Sequence, residues 1–226
     1  GDCQKLEYLR TRSSMPQHVI VATGYDDTHA LIADNDRAEI QRCSLGSLRD
    51  ARSASGFPLP AMNVTFEIDW PAKIPPVEDM IVPAIAEVVR WMHDPGGVPA
   101  AFFGRKAFGL PAMSELEHAA RTWLRDGIAQ PAVHAMLLWI AVEKGGTGGG
   151  LFRRLYSGFL AEAHDLLPGP ALARARDHYA RLDRDWTAVG RTCGAGRLDG
   201  VPGQIIDLVA AEREGVELLA EFTARA

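Results

Sequence analysis

The sequence predicts an α+β chain, a small antiparallel sheet followed by a bundle of about six helices. Three observations predict it. In the first 70 residues, short apolar runs alternate with turn chemistry. Residues 71–77, PAKIPPV, then place three prolines in seven positions, which stops ladders and helices alike. Beyond them, apolar residues recur at i, i+3/i+4 and i+7, one face of a helix. The expected organisation is a β-rich piece over 1–70, a linker over 71–77 and a helical domain over 78–226.

The centre of the β-rich piece is QHVIVATGYDDTHALIADN, residues 17–35. Val19, Ile20 and Val21 form one strand, and Ala30, Leu31 and Ile32 a second. Gly24, Tyr25, Asp26 and Asp27 lie between them as the turn. A third short strand is expected over 38–43, and Ser44 then has the character of a helix cap. Residues 63–70, NVTFEIDW, alternate apolar and polar as a half-buried strand does.

The helices follow in order. The first covers 78–93, with Ile81, Ile85, Val88, Val89 and Met92 inward. The second covers 111–125, with Leu116, Ala120, Trp123 and Leu124 inward. Pro131 opens the third, a favoured first position, and Val133, Met136, Leu137 and Ile140 mark its core face. The fourth covers 151–167 through Leu151, Leu155 and Phe159. The fifth covers 170–191 through Leu172, Tyr179, Leu182, Trp186 and Val189. The sixth covers 202–222 through Ile205, Leu208, Val209, Val216 and Leu219, and Glu212, Glu214 and Glu217 on it are expected on a solvated face.

Composition narrows the function. A net charge of −5 argues against nucleic acid or an anionic membrane as the main partner. No apolar run approaches the roughly 20 residues of a membrane span. Cys3, Cys43 and Cys193 are far apart and make no C-x-x-C pair, which points to free thiols in a reducing, cytoplasmic setting. Cys43 is expected to act as a small buried hydrophobe. The histidines form no H-x-x-x-H or H-E-x-x-H pattern, and neither a metal nor a cofactor is expected.

Two places carry candidate chemistry. His18 opens the first strand of the hairpin, and Asp34 and Asn35 close the second. An antiparallel pair returns those ends to one another, and a His beside a carboxylate or amide is the base and orienter of a nucleophilic site. The alternative is a strand-end histidine and a turn aspartate that never meet. KGGTGGG, residues 144–150, is the second place. Gly146, Thr147 and Gly148 before a helix, with Arg153 after them, are candidates for binding a phosphate or carboxylate. No G-K-[ST] follows, so it is not a P-loop. The alternative is a close interhelical turn that needs glycine, with Thr147 as a cap and Arg153 on a solvated face.

The run HVIVATGYDDTHALIADN resembles the His half of papain-like cysteine proteases of the bacteriocin-leader type. More closely, it resembles the butirosin biosynthesis protein H family, which joins a papain-like acyltransferase domain to a helical domain of unknown function. CSLGSLRDARS and FPLPAMN resemble the continuation of that catalytic domain, and EKGGTGGGLFRRLYSGFLAEAHDLLP resembles its helical partner. The resemblance implies a partial papain-like sheet, His18 as base and Asp34 as orienter, with Asn35 where many relatives have proline. It implies acyl transfer through a cysteine thioester, with an acyl carrier protein or a small-molecule amine as partner. The family's nucleophile lies on a helix well before the histidine, in a segment like H-C-x-x-x-A-L, and only 17 residues precede His18 here. That order expects the nucleophile before residue 1, or a non-catalytic module that keeps the fold. A half domain would leave sheet edge and apolar surface uncovered, so a homo-oligomer is expected.

Overall fold

A computed structural model of the chain describes residues 19–34, 37–54, 61, 63–67, 69, 71, 73–96, 104, 106, 108–144 and 149–225. Among these, a three-stranded antiparallel sheet precedes seven α-helices, an α+β arrangement. The chain separates into two compact units, Gly1–Ala72 and Lys73–Ala226.

In the first unit, β1 (Val21–Tyr25), β2 (His29–Ala33) and β3 (Gln41–Ser44) lie in that order, with β2 central. Val21 pairs with Ala33 and Tyr25 with Ala30. The register shifts between Ala22 and Gly24, a bulge that gives β1 one extra residue. The turn is therefore later than the glycine suggests. Gly24 and Tyr25 belong to the strand, and Asp26 begins the reversal. Oδ1 of Asp26 accepts hydrogen bonds from Thr28 N, Thr28 Oγ1 and His29 N, each at 2.8 Å, and Oδ2 accepts from Arg42 at 3.0 Å. These donors, the Thr28 amide first, hold the Asp26 carboxyl far below the usual carboxylate range.

One face of the sheet buries Ala30, Ile32 and Cys43, with Ile20 and Leu48 packed on it. Leu48 comes from α1 (Leu45–Arg52), whose cap Ser44 accepts from the Ser47 amide at 3.1 Å. Cys43 is disulfide-bonded, which corrects the expectation of free thiols throughout; Cys3 lies outside the described residues. The strand expected over 63–70 does not form at the described positions: Asn63 is in a turn, 64–67 are irregular, and Phe66 is 73 % exposed. An alternating pattern needs a partner strand to become a ladder, and none of the three strands among the described residues pairs with 63–67.

The second unit contains α2 (Val77–His93), α3 (Gly109–Asp126), α4 (Pro131–Trp139), α5 (Arg153–Leu166), α6 (Pro170–Gly194) and α7 (Val201–Arg225). α6 packs against α5 and α7, and α7 also against α3 and α2. The core between them includes Ile85, Leu160, Leu182, Trp186, Ile205 and Leu219.

Two inward faces differ from expectation. On α4 and the turn that continues it, Val133, Met136, Leu137 and Ile140 face out, Leu137 at 54 % exposure, while Ala135, Leu138, Trp139 and Val142 pack inward. α4 continues as a π-helical turn, Ile140–Lys144, that lies on α6. Gly190 and Gly194 of α6 make that contact possible. A Cβ on Gly190 would come within 2.7 Å of Glu143, and one on Gly194 within 2.8 Å of the Trp139 ring. On α5, the inner row is Tyr156, Phe159, Leu160 and Ala163, and Leu155 is exposed. The helix starts at Arg153, so Leu151 precedes it and the expected row slips by one residue. Leu124 on α3 is exposed as well.

Candidate functional site

The hairpin brings its two flanking segments out at the same end, because Val21 at the start of β1 pairs with Ala33 at the end of β2. Asp34 stands at that end and is buried, at 5 % exposure. The Arg37 amide donates to the Asp34 carbonyl at 3.0 Å. His18 and Asn35 lie outside the described residues. The one other described cysteine, Cys193 on α6, is a buried free thiol, and burial pushes it up from its ordinary range.

Gly146, Thr147 and Gly148 of the glycine-rich segment also lie outside the described residues. Its last two glycines do not. Gly149, Gly150, Leu151 and Phe152 have φ of 88°, 56°, 51° and 69°, four left-handed residues in a row, two of them large and apolar. Gly150 sits against α6, where a Cβ would come within 2.2 Å of Asp183 Oδ1 and 3.1 Å of the Asp183 carbonyl oxygen. So glycine is required there by close approach as well as by dihedral.

Arg153 holds this turn. Its Nη1 donates to the Leu151 carbonyl at 2.6 Å, while Nε and Nη2 donate to the two oxygens of Glu212, each at 2.7 Å. Trp186 Nε1 donates to Glu212 Oε1, also at 2.7 Å. Glu212 is 0 % exposed, not on a solvated face. This fork–fork pair is the strong form of a charge-assisted contact. The sequence carries a signal for it: Glu212 falls on the same stripe of α7 as Ile205, Leu208, Val216 and Leu219, so the stripe itself predicts burial.

Beside the turn is a cavity of about 150 Å³, lined by Val88 and Met92 of α2, Phe152, Arg153 and Tyr156, and Tyr179 of α6. Tyr156 and Tyr179 meet edge to face, 4.8 Å between centroids. Burial holds both phenols well above their ordinary 10.0. Of the residues around this cavity, the sequence gives a candidate binding role to Arg153 alone.

A family model described as a domain of unknown function (DUF4872) matches residues 46–218. The chain belongs to that family. The match runs from α1 into α7 and leaves β1, β2 and β3 before its start. No curated protein and no solved structure matches the chain. Among the described residues, no group of three or more His, Cys, Asp or Glu could hold a metal ion, and no helix is long and apolar enough to cross a membrane.

Proposed function

We propose that the chain carries the base and orienter of a papain-like thiol acyltransferase or amidase, related to the butirosin biosynthesis protein H family. What supports this reading is the hairpin register, which returns the segment entering β1 to the buried Asp34 leaving β2. His18 acts as base and Asp34 or Asn35 orients it. The nucleophile is a cysteine other than Cys43, which is disulfide-bonded, and Cys193, which is buried. The imidazole takes the thiol proton as the sulfur attacks a thioester carbonyl. The donor thiol leaves with that proton, and an acyl-cysteine remains. An amine then attacks, loses a proton to the imidazole, and the cysteine departs with it. The donor is an acyl carrier protein or a small thioester, and the acceptor a small amine.

The test is thioester consumption by the complete open reading frame, with His18→Ala as control. Loss of the base is expected to lower the rate by about 10²- to 10⁴-fold. An unchanged rate would sink the assignment. The proposed location is the cytoplasm, the reading that an odd number of widely spaced cysteines suggests. The Cys43 disulfide weighs against it, and alkylating thiols in fresh lysate decides: a labelled Cys43 places the protein in a reducing compartment.

A second reading, a non-catalytic scaffold that dimerises, is favoured by one observation. Val133, Met136, Leu137 and Ile140 line the outer face of α4 at i, i+3, i+4 and i+7. Light scattering after size exclusion is expected to give a dimer mass, and Leu137→Lys a monomer. A wild-type monomer at tens of micromolar would contradict it.

A further inference from the structure

Neither backbone nor burial favours phenylalanine at position 152. Its φ of 69° is left-handed, which suits glycine or asparagine and penalises a large side chain. Its ring is half exposed, so burial returns little. Strained backbone of this kind persists only where surrounding contacts hold it. Here they are the Arg153–Leu151 hydrogen bond, the Arg153–Glu212–Trp186 cluster and the seat of Gly150 on Asp183. They keep Phe152 on the wall of the cavity that Val88, Met92, Arg153, Tyr156 and Tyr179 complete. Of these six lining residues Phe152 alone is exposed, so it marks the side that opens to solvent.

We infer that the cavity binds an uncharged hydrocarbon group of about benzene size, aryl or branched alkyl, and that Phe152 is held in place as the wall it packs against. Size, charge and polarity each follow from the walls. A cavity of about 150 Å³ takes a body of that size. Each nitrogen of Arg153 is committed to Glu212 or to the Leu151 carbonyl, so an anion finds no free cation. Glu212 is wholly buried in that pair, so a cation finds no open carboxylate. The Tyr156 hydroxyl is buried out of a ligand's reach and offers it nothing. What remains is aliphatic at Val88, an adaptable thioether at Met92, and the aromatic residues Phe152, Tyr156 and Tyr179. The site lies within the helical unit and rests on nothing in the hairpin.

The experiment is an NMR titration of the full chain, labelled at the methionine methyls, with benzene, benzoate and benzylammonium. In wild type the Met92 methyl is expected to shift saturably with benzene, and both ions to bind about tenfold more weakly or less. Val88→Phe, which fills the space, is expected to abolish benzene binding. Phe152→Asn removes the ring, puts in a residue at ease in left-handed backbone, and is expected to weaken benzene about fivefold. A Met92 methyl that benzene does not shift saturably, an ion bound as tightly as benzene, or an unchanged benzene affinity in Phe152→Asn would each overturn the proposal. If Val88→Phe does not fold, Phe152→Asn, at a half-exposed position, still decides.

Discussion

At the scale of single residues, Glu212 has the most at stake. Its carboxylate is out of water and meets one guanidinium and one indole. Removing one partner of such a pair leaves the other buried and uncompensated, at a cost of about 3–5 kcal/mol. Glu212→Ala is therefore expected to lower the stability of the helical unit by that amount in urea unfolding. Arg153→Met with Glu212→Leu is expected to lose clearly less, because both charges go together; equal losses would contradict the buried-pair account. Gly150 can be separated into its two demands. Gly150→Ala meets both left-handed φ and Asp183, whereas Gly196→Ala meets left-handed φ of 73° with open space around it. The second is expected to cost about 1 kcal/mol and the first about 2–4. Equal costs would mean that Gly150 is there for its dihedral alone. Tyr156 could not be singled out from sequence, since an aromatic on an apolar stripe is ordinary core until its hydroxyl is found without a partner.

Among the elements, α6 and α7 were legible from their spacing, and α4 shows why spacing has a limit. The segment PAVHAMLLWIAV is apolar almost all round. Two rows at i, i+3, i+4 and i+7 exist on it, 133–136–137–140 and 135–138–139–142, on opposite faces. Periodicity cannot choose between them. The choice is made by α6, where Gly190 and Gly194 leave room for Glu143 and Trp139. The hairpin turn moved for a related reason: a bulge at Ala22–Gly24 spends the glycine inside the strand, and the Asp26 side chain closes the turn. Between α3 and α7, Glu117 accepts from Arg121 at 2.6 Å and from Arg213 at 2.8 Å. Those two hydrogen bonds, the Arg121 one first, hold its carboxyl below the ordinary 4.5. A folded value below the unfolded one means that the contribution is complete above about pH 4.5 and drains away as pH falls below it. The urea midpoint is accordingly expected to drop between pH 7 and pH 3.5, and Glu117→Gln to make that drop smaller. A midpoint drop of equal size in the variant would remove Glu117 from the account.

On the scale of the whole molecule, the order of a small sheet before a set of helices was legible because turn residues, prolines and two apolar periods mark it directly. A site assembled from distant stretches leaves no such mark. The cavity draws Val88, Phe152, Tyr156 and Tyr179 from three helices and one turn, and only packing brings them together. The catalytic proposal has the opposite character, since its residues share one hairpin and its chemistry waits on a cysteine. Trapping the acyl-enzyme tests that proposal most directly. The complete open reading frame is mixed with an acyl thioester, and its intact mass is followed with and without His18. The account predicts a gain of one acyl group, released by hydroxylamine, on a cysteine other than Cys43 or Cys193, and far slower acylation in His18→Ala. No adduct, or one that forms equally fast without the histidine, would contradict it.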